Sequence, residues 1–110
     1  MKQAEIWLAD LEPVKGREQG KTRPIVIISG NTMNTHFPVV IACTLTSVIK
    51  NFAGCLIIQK NKINGLNENS EIISFQVRSI SKERLKKKMG TITSSQLQAL
   101  LIGLNDIFKL

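Results

Sequence analysis

An arginine directly before a proline, Arg23-Pro24, and two hydroxyls closing an apolar run, Thr46-Ser47 in "VVIACTLTS", are the side chains in this sequence best suited to chemistry. The guanidinium is permanently charged and presents a planar fork of donors, which suits the trigonal-bipyramidal oxyanion formed when a phosphodiester is attacked. Pro24 fixes its own φ and drives the residue before it towards extended backbone, so Arg23 is held in a narrow range of directions. Thr46 and Ser47 can donate to a phosphate or relay a proton. An exposed loop arginine in a charge cluster, and the ordinary liking of Thr for strands, account for the same residues without chemistry. Neither signal decides alone.

Counting removes several alternatives. The chain has one histidine, His36, in what reads as a solvated loop, so a ribonuclease built on an imidazole acid and an imidazole base is excluded. Its eight carboxylates are scattered. Asp10 with Glu12, and Glu68 with Glu71, are the close pairs, and neither has the company a catalytic divalent ion requires, so no metal and no cofactor is expected. The glycines Gly16 and Gly20 precede a strand rather than a helix, which argues against a nucleoside triphosphate cradle. Cys43 and Cys55 lie in apolar runs without a second thiol or imidazole at ligand spacing, and read as reduced core thiols.

Fifteen Lys and Arg against eight Asp and Glu leave a net charge of +7 on 110 residues, which favours a polyanionic partner, nucleic acid first. Lys15, Arg17, Lys21 and Arg23 crowd into nine residues beside the single carboxylate of Glu18. A second cationic run, "SKERLKKKMG", reads as a solvated edge that discourages strand-on-strand aggregation, with a distal RNA contact as the alternative. The start "MKQAEIWLADLEP" lacks the long apolar stretch of a signal peptide and no 18 apolar residues run together, so a cytoplasmic protein without a membrane partner is expected.

The elements that must position these residues are mostly strands. "EIWLADL" (5–11) reads as a first strand, with Trp7 facing core, and "PIVIIS" as a second, apolar on both faces; the polar "GNTMNTH" ends it as a loop. "PVVIACTLT" and "GCLIIQ" are the third and fourth strands, and "KNKINGLNENS" is the clearest turn region. "EIISFQVRSI" alternates as a strand that bends in the middle, and "KKMGTI" makes a short sixth. Thr93 and Gln96 spell a capping box, after which Leu97, Leu100, Leu101, Leu104, Ile107 and Phe108 recur at helical period and should pack on the sheet. At this length the chain supports one core, so the expectation is a single domain, 1–110, mainly β (α+β): a small SH3-like antiparallel barrel of five to six strands with a C-terminal amphipathic helix.

"EIWLADLEPVKGREQGKTRPIVIIS", "FPVVIACTLTS", "SFQVRSISKERL" and the closing helix together resemble the MazF/PemK family of toxins, the endoribonucleases of type II toxin–antitoxin pairs. "EQGKTRP" followed some way on by "LTS" is the most specific part. The resemblance implies that Arg23 and Thr46 are catalytic, that Glu18 and Gln19 lie on a loop over the site, and that these two bind substrate together with Lys21, Ser47, Gln76 and Arg78. It further implies metal-independent, sequence-specific cleavage of single-stranded RNA by attack of the RNA's own 2′-hydroxyl, leaving a 2′,3′-cyclic phosphate and a 5′-hydroxyl. A homodimer is implied, as is an antitoxin whose acidic, partly disordered tail covers the RNA groove. Plasmid-borne members carry an Arg and an Asp just ahead of the Gln-x-Arg stretch, where this chain has Ile73 and Phe75, which leaves proton handling to Arg23, Thr46 or Ser47. The competing readings are a gyrase-poison-like toxin on the same fold and an RNA-binding module without chemistry. The first does not need the arginine and threonine, and the second usually stacks bases on several aromatics, of which this chain has one Trp, four Phe and no Tyr.

Overall fold

The structure is a computed structural model that describes residues 1–11 and 22–110. Its strands are β1 (Glu5–Asp10), β2 (Thr22–Ile27), β3 (Val39–Thr46), β4 (Leu56–Ile58), β5 (Ser70–Ser81) and β6 (Leu85–Thr91), with helices α1 (Asn31–His36) and α2 (Ser94–Ile107). All pairings are antiparallel, in the order β4-β5-β3-β2-β1-β6, and the sheet curls into a half-barrel. The expected fold class holds, and so do the double-sided strand, the turn region and the bent fifth strand.

Alternation along β2 and β3 feeds two apolar clusters. Val26, Cys43 and Leu45 join Leu100 and Leu104 of the closing helix, while Ile25, Ile27 and Ala42 join Ala9, Val40 and Ile80. A strand buried on both faces has no place for charge along its length. Burial pushes the Cys43 thiol up to about 12, with Cys55 adding to the rise, so it remains a protonated core side chain. Trp7 packs half-buried against the second cluster and donates its Nε1–H to Glu5 Oε1 at 2.9 Å. Glu5 Oε2 also pairs with Lys88 Nζ at 3.1 Å, tying β1 to β6 at the edge.

"GNTMNTH" is not a loop. It forms α1, with His36 as its last residue, because its polar side chains close the turn on themselves: Asn34 is buried and donates to the Ser29 carbonyl at 2.8 Å, Ser29 Oγ bonds Asn34 Oδ1, and Thr35 Oγ1 donates to the Asn31 carbonyl. Polarity here signals local closure rather than absence of structure.

The capping box forms as expected: Thr93 Oγ1 accepts from the Gln96 amide and Gln96 Oε1 accepts from the Thr93 amide. The apolar stripe behind it packs only in part. Leu97, Leu100, Gly103 and Leu104 meet the sheet side, whereas Leu101, Ile107 and Phe108 are exposed, which corrects the expectation that the whole stripe is covered. Gly103 explains the seating. A Cβ there would lie 2.3 Å from the Gly54 carbonyl oxygen, so the bare backbone lets α2 settle on the loop before β4 and centres the contact on the 100–104 ridge.

Gly103→Ala separates helix propensity from packing. Ala is the better helix former by about 1 kcal/mol, yet the backbone clash must displace the helix at a cost of about 1–3 kcal/mol. The urea midpoint of the variant should fall; a rise would mean that the contact is loose.

Candidate active site

The β2–β3 ladder begins with Ile25 opposite Thr44 and runs through Val26–Cys43 and Ile27–Ala42. Continued two residues outward, that register sets Arg23 across from Thr46, and period-two alternation puts both on the face of Thr44. Both side chains line one cleft of about 710 Å³. Arg23 is exposed and Thr46 half-buried. Thr46 Oγ1 accepts the Val48 amide at 3.1 Å, and its own proton has no acceptor among the described residues.

The facing wall comes from β5 and owes its shape to an irregularity. Arg78 pairs with Ala42 and Ile73 with Thr44, so five steps along β5 span two along β3. The surplus residues bend the strand. Ser74 turns inward, fully buried, and bonds the Gly54 carbonyl at 3.0 Å, while Phe75, Gln76 and Arg78 stand exposed on the cleft. Thr44 Oγ1 donates to Gln76 Oε1 at 2.6 Å, pinning the amide so that its NH2 group points onward as a donor. Thr44 therefore belongs to the site although the sequence reading passed over it.

The third wall is the loop from Thr46 to β4, which contributes Val48, Lys50 and Phe52. Glu71, wholly buried and opposite Thr46 in the ladder, holds that loop. Its Oε1 accepts the amides of Lys50 and Asn51 at 2.8 and 3.0 Å, and its Oε2 accepts the amide of Phe52 at 2.8 Å. Asn51 sits at φ 57°, the left-handed conformation that lets successive N–H groups converge on one carboxylate. Burial opposes the charge on Glu71, but the three amides outweigh it and bring the carboxyl below the ordinary glutamate range. In the sequence Glu71 registered only as half of a close pair with Glu68; nothing short of the fold shows that a distant loop closes on it.

The remaining expected residues are distributed differently. Glu18, Gln19 and Lys21, with Lys15 and Arg17, lie outside the described residues. Ser47, next along from Thr46, turns the other way and lines a separate recess of about 210 Å³ with Pro24, Asn67 and Glu68. His36, at the end of α1, does not line the cleft. Two of the four phenylalanines, Phe52 and Phe75, do, and counting aromatics gave no sign of that concentration.

A family model for PemK-like, MazF-like toxins of type II toxin–antitoxin systems matches residues 2–108. The chain belongs to this family. Among curated relatives of this PemK/MazF chain, Endoribonuclease MazF of Staphylococcus saprophyticus is 36% identical over 100 residues, covering 89% of this chain and 82% of the relative. Among solved structures, the Mycobacterium tuberculosis toxin MazF-mt6 superposes with a TM-score of 0.80 at 24% identity, covering 96% of this chain and 97% of that one. A MazE–MazF structure from Deinococcus radiodurans gives 0.80 at 18% identity, covering 97% and 94%. These two share the fold.

The buried carboxylate of this PemK/MazF chain makes an acid prediction. Because the folded-state value of Glu71 is depressed, its contribution is fully present above the unfolded value near 4.5 and is lost as pH falls through the folded one; Glu5, also lowered by its hydrogen bonds and Lys88 against the opposing effect of burial, acts in the same direction. Urea midpoints should therefore drop steeply below about pH 4.5. Glu71→Gln should flatten part of that slope and, by leaving an amide without an acceptor, cost about 1–3 kcal/mol at neutral pH. An unchanged acid profile would show that the three-amide clamp carries no charge.

Proposed function

We propose that the cleft between β2, β3 and β5 is the active site of a metal-independent, sequence-specific endoribonuclease, the toxin of a type II pair. The observation that carries this reading is the juxtaposition of Arg23 and Thr46 on one face of neighbouring strands, lining the same cleft. The family supports the same reading.

The substrate's 2′-oxygen attacks the adjacent phosphorus, and the bond to the 5′-oxygen of the next nucleotide breaks. The 2′-proton leaves the nucleophile and a proton reaches the departing oxygen, giving a 2′,3′-cyclic phosphate and a 5′-hydroxyl. Arg23 stabilises the charge that grows on the non-bridging oxygens. Thr46 donates its free proton to one of those oxygens and fixes the phosphate. Gln76 offers its amide to the nucleotide beside it, and Arg78 and Lys50 draw the backbone in.

The partner of this toxin is an antitoxin with an acidic tail that folds across the cationic cleft, and the working form is a homodimer. MazF of Deinococcus radiodurans is found with MazE. Among the described residues no helix is long and apolar enough to cross a membrane, and the cytoplasm is the proposed compartment.

A long single-stranded RNA incubated with the protein in EDTA should yield cyclic-phosphate ends. Arg23→Ala should slow cleavage two to three orders of magnitude, as expected for loss of about 3–4 kcal/mol of oriented charge stabilisation. Full activity in that variant would remove Arg23 from the mechanism. Lys86→Glu, on the far edge strand, should leave the cleavage rate within a few fold; a collapse would place that run in the substrate path.

A further inference from the structure

We propose that Phe52 and Phe75 form a subsite that stacks one unpaired base of the RNA next to the phosphate held by Arg23. This rests on the nuclease reading above and names what that site grips besides phosphate. The rings meet edge to face, centroids 5.2 Å apart and planes at 87°, and they remain 41% and 50% exposed. They come from separate segments, the loop clamped by Glu71 and the bend of β5 that turns Ser74 in and Phe75 out. Two independent backbone devices thus deliver phenyl groups to one cleft, where both stay partly exposed.

An edge-to-face pair uses the edge of one ring and a face of the other, so flat aromatic surface is left over. Such surface accepts any base, while a neighbouring donor can read its edge. Gln76 supplies that donor: Thr44 holds its carbonyl, and its NH2 group has no acceptor among the described residues. Lys50, Arg78 and Arg23 line the same cleft. Cations interleaved with an aromatic pair and an amide match a nucleotide, whose phosphate, base face and base edge each find a counterpart. An apolar protein segment would leave the amide and the cations without partners.

The test uses an RNA oligonucleotide spanning a cleavage site mapped by primer extension, with 2′-deoxyribose at the attacking position so that it binds without reacting. Bases around the site are replaced singly by abasic sugars, and binding is measured for the wild type and for Phe52→Ala, Phe75→Ala and Phe75→Trp. One abasic position should weaken wild-type binding about 5- to 150-fold, the range for a stacked base. The same position should cost the two alanine variants almost nothing, and Phe75→Trp should restore the penalty. Unchanged urea midpoints will show that the variants fold.

Equal abasic penalties in wild type and alanine variants, or no penalty at any position, overturn the subsite. Unchanged RNA affinity of the alanine variants does so too and leaves the rings to a protein partner such as the antitoxin. If Arg23→Ala abolishes cleavage while the coupling is absent, only the subsite falls; if the wild type cuts no RNA, both readings fall.

Discussion

Burial of β2 and β3 on both faces is the constraint from which the site follows. Val26 and Cys43 face one cluster, Ile25 and Ala42 the other, and charge between them would be desolvated without a partner. Polar chemistry can therefore gather only where these strands run out. Antiparallel pairing sets the start of β2 beside the end of β3, so a cation at one terminus and a hydroxyl at the other become neighbours although they are far apart in the chain. Pro24 sharpens the boundary: lacking an N–H, it cannot extend the ladder, and β2–β3 pairing starts one residue later at Ile25.

Glu71 solves the complementary problem on the other side of Thr46. A loop that leaves a buried strand exposes backbone N–H groups at low-dielectric depth, and each needs an acceptor. One carboxylate takes three of them, from Lys50, Asn51 and Phe52. The loop that bears three cleft-lining side chains is thereby fixed from below, by a residue that does not itself line the cleft.

The strands and the capping box were legible because each follows from a short local pattern, whereas Arg23 and Thr46 stood out only by residue type and position and were joined by the family resemblance, not by pattern. Three features were not. α1 is closed by Ser29 and Asn34 bonding each other, and a polar hexapeptide looks the same whether or not such bonds form. The α2 stripe is periodic to its end, but how much is covered depends on where Gly103 meets Gly54, a contact between distant segments. The bend in β5 was foreseeable as a bend. Its size, which decides that Phe75 and Gln76 face the cleft, is set by register against β3 and leaves no mark in the composition.

The cationic charge also divides along lines the topology draws. β6 and β4 are the edges of the described sheet, and open edges invite pairing with other chains. β4 is three residues long and offers little to pair with; β6 is longer and carries Lys86, Lys87 and Lys88, all exposed, with Lys88 anchored by Glu5. One edge is short and the other is charged. Arg23, Lys50 and Arg78 instead line the cleft, where converging positive groups raise the local potential. Among the described residues the positive charge is therefore not gathered on one face: part of it lies along the β6 edge, and part lines the cleft where the buried strands end.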